Sequence, residues 1–572
     1  MKKITTVFLV ICLLSLLNPS QAAELLPESD AAFQQRMQWF TDAQFGLFIH
    51  YGVYSTLGGE WKGEPVKKYA EWIQRWGSIT PEEYIPLAAN FRPDKLDADL
   101  WVKTAKEAGM KYMVITSKHH EGFCLWDSAY TEYDLGEATD FDRDILGELA
   151  VACKKHGLKF GTYYSIIDWH HPSQRDQQAM NKTPMRDKAG YVTYMKGQLK
   201  ELIDCYQPAI MWFDGDWTDW WTMDDGIDLY NYLRDLDPEL IINNRVAKRK
   251  IFKKDYGTPE QKTPGAALDH VWEACWTVNH SWGFKKSDTN WKSTDVLVQK
   301  LIDINTKGGN LLLNVGPKAD GSWPDASIRQ LKEMGQWNSA HTEAVYGTEF
   351  VDLPAQTWGK LAMAKGSTEK AGELFVYVFD WPVDGKLVMA GVNMGQAKAF
   401  TYDGQSLPVS PTEKGLEIDL GSASKHDYAT VLRLKYGSFE HYPKFSWDTV
   451  PLYMHMRKSA AFTPEELDYL AGFPLITLDK TTGSATYGSS VEGSRMAAKA
   501  IKAVLPHDGY SVNNNDSSVW LTRFPEFDKP LGPPKGPAVQ DGYTYTREFE
   551  HASVFLDIEK KQGRVTWKET AP

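Results

Sequence analysis

The sequence predicts an α/β protein: a (β/α)8-like barrel, followed by a small antiparallel β-sandwich and a further small α/β region. From about residue 30 to 348, apolar runs typical of buried strands alternate with amphipathic stretches, the pattern of repeated strand–helix units. From residue 349 to 436 the apolar runs are shorter and are separated by Gly, Asp and Ser turns, which favours antiparallel sheets. At 572 residues the chain can hold several domains, and one of them can be a barrel of about 250 residues or more.

The first 23 residues have the three parts of a secretory signal peptide. Lys2 and Lys3 form a basic start, residues 7–17 an apolar core, and residues 20–23 a small-residue cleavage site. We expect cleavage near Ala22 or Ala23 and export to the periplasm or the extracellular space. No later stretch reaches the roughly 18 consecutive apolar residues of a spanning helix, so we predict no membrane span.

The barrel domain is predicted to cover residues 24–348. Its strands are expected at 45–50, 112–116, 160–165, 209–213, 240–243 and 310–315. Its helices are expected at 100–108, 144–155, 191–206 and 325–345, where apolar residues recur every three or four positions. Parallel strands that alternate with helices at this spacing are typical of a (β/α)8-type barrel.

Two further regions follow the barrel. Residues 349–436 are predicted as the β-sandwich, with strands near 374–379, 387–390 and 429–434. Residues 437–572 are predicted as an additional α/β region, with strands near 450–455, 474–478 and 552–557 and helices at 464–471 and 496–505. The sequence does not indicate the role of this last region.

Composition narrows the class of protein. A net charge of −12 argues against a nucleic-acid partner. The four cysteines that remain after signal cleavage have no C-x-x-C spacing, so we predict free thiols rather than structural zinc or a disulfide framework, with Cys153 and Cys205 buried in helices. These four are Cys124, Cys153, Cys205 and Cys275.

One strand end carries the strongest chemical signal. A buried run over 209–213 delivers Asp214 just before a glycine, and a parallel barrel places its chemistry at the carboxyl ends of its strands. Tryptophans surround this carboxylate in sequence, at positions 212, 217, 220 and 221. Aromatic faces pack against sugar rings, so the strand end suggests a carbohydrate site.

Polar residues at the other strand ends are expected to converge on the same face of the barrel. They are His50, His119, His120, Tyr164 and Arg245.

A set of motifs, in order along residues 38–348, resembles the α-L-fucosidases of glycoside hydrolase family 29. Each motif is weak alone, and together they are specific. They are Phe45-Gly-Leu-Phe-Ile-His-Tyr-Gly52, Glu60-Trp61, Lys118-His-His-Glu-Gly-Phe123, Trp212-Phe-Asp-Gly215, Thr258-Pro-Glu260, Trp272-Glu273 and Asn310-Leu-Leu-Leu-Asn-Val-Gly-Pro317.

The resemblance implies retaining hydrolysis by double displacement, in which a carboxylate attacks the anomeric carbon and a second carboxyl acts as acid and then base. It implies that Asp214 is the nucleophile. For the acid/base two candidates stay open: Glu260 is favoured, and Glu273 is the alternative. No cofactor is implied.

The resemblance also implies a fucose pocket. Its hydroxyl-binding residues would be His50, His119 and His120, and further subsite residues would be Glu60, Trp61, Tyr164, Trp212 and Arg245. The nonpolar contact to the sugar methyl is expected from Phe45 and from Trp282 or Phe284. The three histidines could instead hold zinc, although our prediction is no metal.

The basic insertion Lys248-Arg-Lys-Ile-Phe-Lys-Lys254 has two interpretations. It is either a solvated loop, which we favour, or a segment that grips an anionic acceptor.

The predicted function is an exported, exo-acting retaining α-L-fucosidase whose partner is a fucosylated glycan. Two alternatives remain: a retaining glycosidase with a drifted preference for another 6-deoxyhexose or an algal polymer, or a catalytically silent carbohydrate-binding protein. The oligomeric state does not follow from the sequence.

Overall fold

The computed structural model describes residues 23–175, 185–265, 267–368, 370–412 and 414–440, together with short stretches between 453 and 568. The predicted signal peptide lies outside these residues apart from Ala23, and so do the helices predicted at 464–471 and 496–505. Within the described part, no helix is both long enough and apolar enough to cross a membrane.

The chain divides into two compact units. The first comprises Met1–Val388, Gly395–Ser410 and Glu417–Ser438, and the second comprises the remainder. The boundaries predicted from the sequence at 348 and 436 stay a prediction.

The strands up to residue 315 include those of the barrel. They are β1 (Phe45–Ile49), β2 (Glu60–Trp61), β3 (Glu64–Pro65), β4 (Tyr112–Lys118), β5 (Lys159–Ser165), β6 (Ile210–Asp214), β7 (Ile241–Ile242), β8 (Glu273–Thr277) and β9 (Asn310–Val315).

Seven of these strands form one parallel sheet in the order β7-β6-β5-β4-β1-β9-β8. The segment 256–260 bridges both edges of that sheet: Tyr256 pairs with Asn243 beside β7, Gly257 pairs with Trp272, and Glu260 pairs with Cys275 in β8. This irregular segment takes the eighth position and joins the two edges. The predicted (β/α)8-like fold is confirmed.

Helices surround the sheet. They are α1 (Asp30–Ala43), α2 (Tyr54–Leu57), α3 (Ile73–Trp76), α4 (Pro81–Tyr84), α5 (Ala98–Glu107), α6 (Ile145–His156), α7 (Pro172–Arg175), α8 (Lys188–Tyr206), α9 (Met223–Leu236), α10 (Thr294–Asn305), α11 (Asp325–Ala340) and α12 (Thr342–Tyr346). Short 3₁₀ turns cover Ala70–Trp72, Ile85–Asn90 and Asn244–Val246.

The ends of α6 show how local sequence sets these helices. Asp144 accepts a hydrogen bond from the Gly147 backbone N–H at the N-terminus, which satisfies a donor that the helix leaves free. Gly157 ends the helix in the left-handed conformation that glycine adopts most easily.

Side chains on the barrel strands alternate between the interior and the helix layer. In β5, Tyr163 belongs to the interior cluster with Phe48 and Trp212, whereas Tyr164 belongs to the outer core with the helices. The same alternation in β1 places Phe48 inside and Phe45 outside. This alternation decides which strand residues face the interior of the barrel and which face the helices.

Small antiparallel sheets follow the barrel. The strands are β10 (Thr348–Glu349), β11 (Gly359–Ala364), β12 (Gly372–Val378), β13 (Lys386–Ala390), β14 (Asn393–Gly395), β15 (Lys398–Thr401), β16 (Ser406–Leu407), β17 (Val409–Thr412), β18 (Gly415–Asp419), β19 (Thr430–Tyr436) and β20 (Ser438–Glu440). Six of them form the sheet β10-β11-β12-β19-β15-β16.

The second unit contains further short strands. They are β21 (Tyr453–Met454), β22 (Ile476–Asp479), β23 (Ser484–Tyr487), β24 (Tyr510–Ser511), β25 (Val539–Asp541), β26 (Thr544–Glu548), β27 (Ala552–Asp557) and β28 (Gln562–Trp567). The last four form one antiparallel sheet, and the strand predicted at 552–557 is β27.

The four cysteines of the described chain are free thiols. Cys124, Cys153 and Cys275 are buried, but Cys205 is exposed, so the prediction of a buried Cys205 is wrong. Cys205 lies in the last turn of α8, on a face that the sheet does not cover.

Candidate active site

Asp214 lies at the carboxyl end of β6, where its side chain is 13% exposed. One carboxylate oxygen, Oδ1, accepts hydrogen bonds from Arg245 Nη1 at 2.9 Å and from Arg249 Nη2 at 2.8 Å. The other, Oδ2, lies 3.4 Å from the Tyr163 hydroxyl and 3.7 Å from His120 Nε2. One oxygen is therefore held by cations, and the other faces the barrel interior.

The two guanidinium groups set the charge state of Asp214. Burial alone would raise its pKa, but Arg245 and Arg249 outweigh burial and hold the pKa well below the usual range of an aspartate. Asp214 is consequently ionised at neutral pH.

Glu260 shares Arg245 with Asp214. Its Oε2 lies 3.0 Å from Arg245 Nη2, so one planar guanidinium bridges both carboxylates. Thr258 fixes this arginine by accepting from its Nε at 2.8 Å. The Glu260 side chain is 41% exposed, so it is open to water and to a second molecule.

Glu273 has a different environment. It is the first residue of β8, at the end of the strand away from Asp214, and it is fully buried. Its carboxyl accepts hydrogen bonds from the Tyr112 hydroxyl and from Trp212 Nε1, the latter at 2.9 Å. Burial raises the pKa of Glu273 to about 7. Glu273 therefore lies at the amino-terminal end of the barrel interior, whereas Asp214 lies at the carboxyl-terminal end.

Three buried histidines line the mouth. Burial lowers the pKa of His50 to about 3 and of His120 to about 4, and it holds the pKa of His119 well below its ordinary value. All three rings are therefore neutral at pH 7, and each presents one donor and one acceptor nitrogen.

The hydrogen bonds of His50 fix its tautomer. Asn314 Nδ2 donates to the Trp282 carbonyl at 2.8 Å, which leaves Asn314 Oδ1 to accept from His50 Nδ1 at 2.7 Å. His50 Nε2 is then a free acceptor.

The tautomer of His120 is fixed in the same manner. Ser165 Oγ donates to the Ile167 carbonyl at 2.6 Å, so His120 Nδ1 donates to Ser165 Oγ at 2.6 Å. His120 Nε2 is therefore an acceptor, and it lies beside the Asp214 carboxylate. A substrate hydroxyl placed between His120 Nε2 and Asp214 can donate its proton to either of them.

An aromatic wall surrounds His120. Trp72 and Trp217 are roughly parallel at 6.4 Å between ring centroids, and both meet the imidazole edge-on. Trp169 completes the wall at 5.5 Å from the ring of His120. Such faces suit the nonpolar side of a sugar ring.

The pair Glu71–Trp72 is a part of the site that the sequence reasoning missed. Glu71 is buried and accepts a hydrogen bond from the Gly283 N–H at 2.9 Å, while burial raises its pKa to about 7. The sequence feature that could have indicated this pair is the repeat of the Glu-Trp dipeptide, which occurs at 60–61 and again eleven positions later. Glu60 and Trp61 lie in the β2–β3 hairpin, where Glu60 pairs with Lys286 at 2.9 Å, and their sugar contact stays a prediction.

Two predicted site residues point away from the mouth. Tyr164 donates to Gln198 at 2.7 Å and accepts from Lys118 at 2.8 Å in the buried layer beneath α8, so Tyr163 takes its place beside Asp214. Phe45 is fully buried at the amino end of β1, opposite the end that carries the site. The predicted sugar contacts of Tyr164 and Phe45 are therefore wrong, because the parity and direction of their strands turn them away.

Three further predicted residues lie near the mouth. Trp282 lies 5.1 Å from the His50 ring, and Trp212 stacks on Tyr163 at 5.5 Å, so both belong to the interior cluster. Phe284 follows Trp282 on the same loop and lies against Gly58.

Arg249 corrects the interpretation of the basic insertion as a solvated loop. Besides Asp214, it binds Asp216 through its Nε at 2.7 Å, and its guanidinium lies over Trp217 at 5.2 Å. Lys248 donates to the backbone carbonyls of Asp216 and Thr218. The start of this insertion is part of the site wall.

The arrangement defines a class of enzyme. An ionised carboxylate, a second carboxyl bridged to it by arginine, and neutral histidines beside tryptophan faces suit acid–base and nucleophilic chemistry on a sugar. At the mouth of a parallel barrel, these groups are typical of a glycoside hydrolase.

Comparisons with known proteins give the family. The family model described as alpha-L-fucosidase matches residues 15–343. The plasma alpha-L-fucosidase of Homo sapiens is 31% identical over 423 residues, which span 69% of this chain and 87% of that protein. An alpha-L-fucosidase of Branchiostoma floridae is 29% identical, over 74% of this chain and 99% of its own length. The chain belongs to the α-L-fucosidase family of glycoside hydrolases.

Solved structures agree. Alpha-L-fucosidase isoenzyme 1 from Paenibacillus thiaminolyticus aligns with a TM-score of 0.62 and 33% identity, over 71% of this chain and 99% of that one. A Bacteroides thetaiotaomicron alpha-L-fucosidase, trapped as a covalent intermediate with 2-fluoro-fucosyl fluoride, aligns with a TM-score of 0.63 and 28% identity, over 72% and 97%.

Proposed function

We propose that this chain is an exo-acting retaining α-L-fucosidase in which Asp214 is the nucleophile and Glu260 is the acid/base. The observation that carries the proposal is the single guanidinium of Arg245 that binds both carboxylates. This bridging is compatible with the separation of about 5 to 5.5 Å between the two carboxyl groups of a retaining enzyme.

In the first step, an Asp214 oxygen attacks the anomeric carbon of a terminal fucose as the glycosidic C–O bond breaks. Glu260 gives its proton to the leaving oxygen. In the second step, Glu260 takes a proton from water, the water oxygen attacks the anomeric carbon, and the bond to Asp214 breaks. The exposure of Glu260 suits this exchange of protons with water and with the leaving group.

The neutral histidines support recognition of a sugar with several hydroxyls. His50 Nε2 and His120 Nε2 are both free acceptors, so hydroxyl groups can donate to them. Trp282 beside His50 offers the apolar surface that a methyl group in place of a hydroxymethyl group requires. Export of the enzyme, for which the N-terminal sequence is the support, is part of the same proposal.

The deciding test is hydrolysis of p-nitrophenyl α-L-fucoside by the wild type and by Asp214→Asn. We expect turnover by the wild type with retention of anomeric configuration, and at least an approximately 1,000-fold loss of kcat in the variant. Asp216→Asn is the matched control, since it also removes a carboxylate from Arg249 but leaves Asp214 intact. Equal loss in both variants would reject Asp214 as nucleophile. Turnover of other 6-deoxyhexosides but not of the fucoside would reject the substrate.

A further inference from the structure

A polar cavity of about 520 Å³ is lined by residues at and just after the carboxyl end of β8, among them Thr277 and Asn279. Its lining contains Gln261 and Ser281. Each is the chain neighbour of a site residue, Gln261 of Glu260 and Ser281 of Trp282. The cavity therefore borders the segment that carries the proposed acid/base, and its volume is in the range of about 300 to 1,000 Å³ of small-molecule sites.

The cavity is rich in positive charge. Its lining contains Lys68, Lys285 and Lys292 with a single carboxylate, Asp288. Asp288 is occupied by the backbone. Its Oδ2 accepts from the N–H groups of His280 and Ser281 at 2.8 and 3.0 Å, and its Oδ1 accepts from the N–H of Asn290 at 3.2 Å. Among the residues that the structure describes, no carboxylate forms an ion pair with the three lysines. This local excess of positive charge contrasts with the net charge of −12 of the whole chain.

Two of the lysines are held in place before any ligand arrives. Lys285 Nζ donates to the carbonyl of Val66 at 2.8 Å and to that of Lys68 at 2.6 Å. Lys292 Nζ donates to the carbonyls of Thr277 at 2.6 Å and Asn279 at 2.5 Å.

The third lysine is exposed, and its ammonium lies 3.9 Å from the ring centroid of Trp76. Lys68 can therefore reorient toward a ligand, while Lys285 and Lys292 supply a fixed positive field in the cavity wall.

We propose that this cavity binds an anionic sugar, bearing a sulfate ester or a carboxylate, on the leaving-group side of the scissile bond. A neutral sugar needs only hydrogen bonds, which the Asn279 side chain can provide, and it gains nothing from ammonium groups that no carboxylate neutralises. An anion gains attraction from all three ammonium groups and direct hydrogen bonds from Lys68 and from the remaining N–H of Lys285. The proposal rests on the proposed function, since Glu260 must protonate the bond that the cavity adjoins.

The experiment compares three matched substrates: a fucosylated lactose trisaccharide, the same trisaccharide with a sulfate ester on the sugar that carries fucose, and the same with a carboxylate there. In about 20 mM salt we expect kcat/KM to be about tenfold higher for at least one anionic form. In about 0.5 M salt, where screening is strong, the preference should shrink to about twofold or less. The two anionic substrates distinguish sulfate from carboxylate.

Variants locate the effect. Lys68→Gln and Lys285→Gln should reduce the preference severalfold, whereas Lys67→Gln, an exposed neighbour outside the cavity lining, should preserve it. Turnover of p-nitrophenyl α-L-fucoside, which has no second sugar, should be unchanged in all three variants. Equal rates on neutral and anionic trisaccharides at low salt, with normal turnover of the nitrophenyl fucoside, would overturn the proposal.

A calorimetric titration separates failure of this proposal from failure of the proposed function. If no fucoside is turned over, the proposed function fails, and the cavity is tested by binding of the sulfated or carboxylated disaccharide without fucose. Binding by the wild type that Lys285→Gln abolishes supports the anionic site. No binding of either disaccharide by the wild type overturns it.

Discussion

At the scale of single residues, exposure separates the two glutamates that the sequence offers as acid/base. Glu260 is open and is held by Arg245, whereas Glu273 is closed off by Tyr112 and Trp212. An acid/base must reach both a leaving oxygen and water, and a fully buried carboxyl at the far end of the barrel reaches neither. The structure thus supports the preference for Glu260 through accessibility, which sequence spacing could not supply.

Glu260→Ala should lower kcat on substrates with poor leaving groups by about 100-fold to 10,000-fold, because the leaving oxygen loses its proton donor. With p-nitrophenyl α-L-fucoside the loss should be smaller, and added azide should restore the rate. Glu273→Ala is the comparison: it should lower the melting temperature, since it leaves two buried donors unpaired, and azide should not restore activity. Azide rescue of Glu273→Ala but not of Glu260→Ala would reverse the assignment.

Arg249 provides the second prediction at this scale. It is one of two cations that hold the pKa of Asp214 low, so Arg249→Gln should raise that pKa. Because the nucleophile must be ionised, the acidic limb of the pH profile of kcat/KM should move to higher pH.

Lys250→Gln is the matched control for Arg249→Gln, since Lys250 is exposed on the same insertion. It should leave the profile unchanged. An unshifted limb in Arg249→Gln would show that Arg245 alone sets the charge state of Asp214.

At the scale of elements, the strands could be located from sequence but their orientation could not. The run predicted at 310–315 is β9, and the run predicted at 160–165 differs from β5 by one residue. Both tyrosines at the end of β5 are equally apolar in a pattern of continuous buried residues, so the sequence contained no alternation to show which one faces inward.

Two neighbouring substitutions test which tyrosine of β5 faces the barrel interior. Tyr163→Phe removes the hydroxyl 3.4 Å from Asp214 and should lower kcat severalfold with little change in stability. Tyr164→Phe removes a buried hydroxyl bound to Gln198 and Lys118 and should cost about 1 to 3 kcal/mol of unfolding free energy at nearly unchanged kcat. Chemical denaturation with parallel kinetics measures both, and the opposite pattern would place Tyr164 in the site.

Other elements of the site were beyond sequence reasoning for physical reasons. The segment 256–260 closes the barrel through isolated bridges rather than a continuous strand, so it has no strand-like pattern. Arg249 belongs to a basic run whose composition is that of a solvated loop, and only the fold brings it to Asp214. His50, His120, Asp214 and Arg245 were predictable because each follows a recognisable strand.

At the scale of the whole molecule, buried carboxyls and buried histidines act on stability in opposite directions. Burial raises the pKa of Glu121 to about 8 and that of Glu71 and Glu273 to about 7. Above pH 4.5 these carboxyls stay protonated in the folded state but lose their protons in the unfolded state. The three glutamates therefore lower the unfolding free energy as pH rises. The lowered pKa values of His50, His119 and His120 raise stability with pH up to about 6.5 and have no effect above it.

The three histidines and the three carboxyls nearly cancel between about pH 5 and 6, so the unfolding free energy should be greatest there. It should fall between about pH 6.5 and 8, with Glu121 contributing about 2 kcal/mol of that fall at about 1.4 kcal/mol per pH unit. Glu121 is fully enclosed, and it accepts hydrogen bonds from the backbone N–H groups of Val53 and Tyr54 and from the Tyr84 hydroxyl. Glu121→Gln has no proton to lose, so its stability should be flatter between pH 6.5 and 8, whereas Glu132→Gln, an exposed control, should keep the wild-type slope. Urea unfolding at pH 5.5, 6.5, 7.2 and 8.0 measures the slopes. Identical slopes for Glu121→Gln and the wild type would mean that Glu121 is ionised in the folded protein and that its hydrogen bonds outweigh its burial.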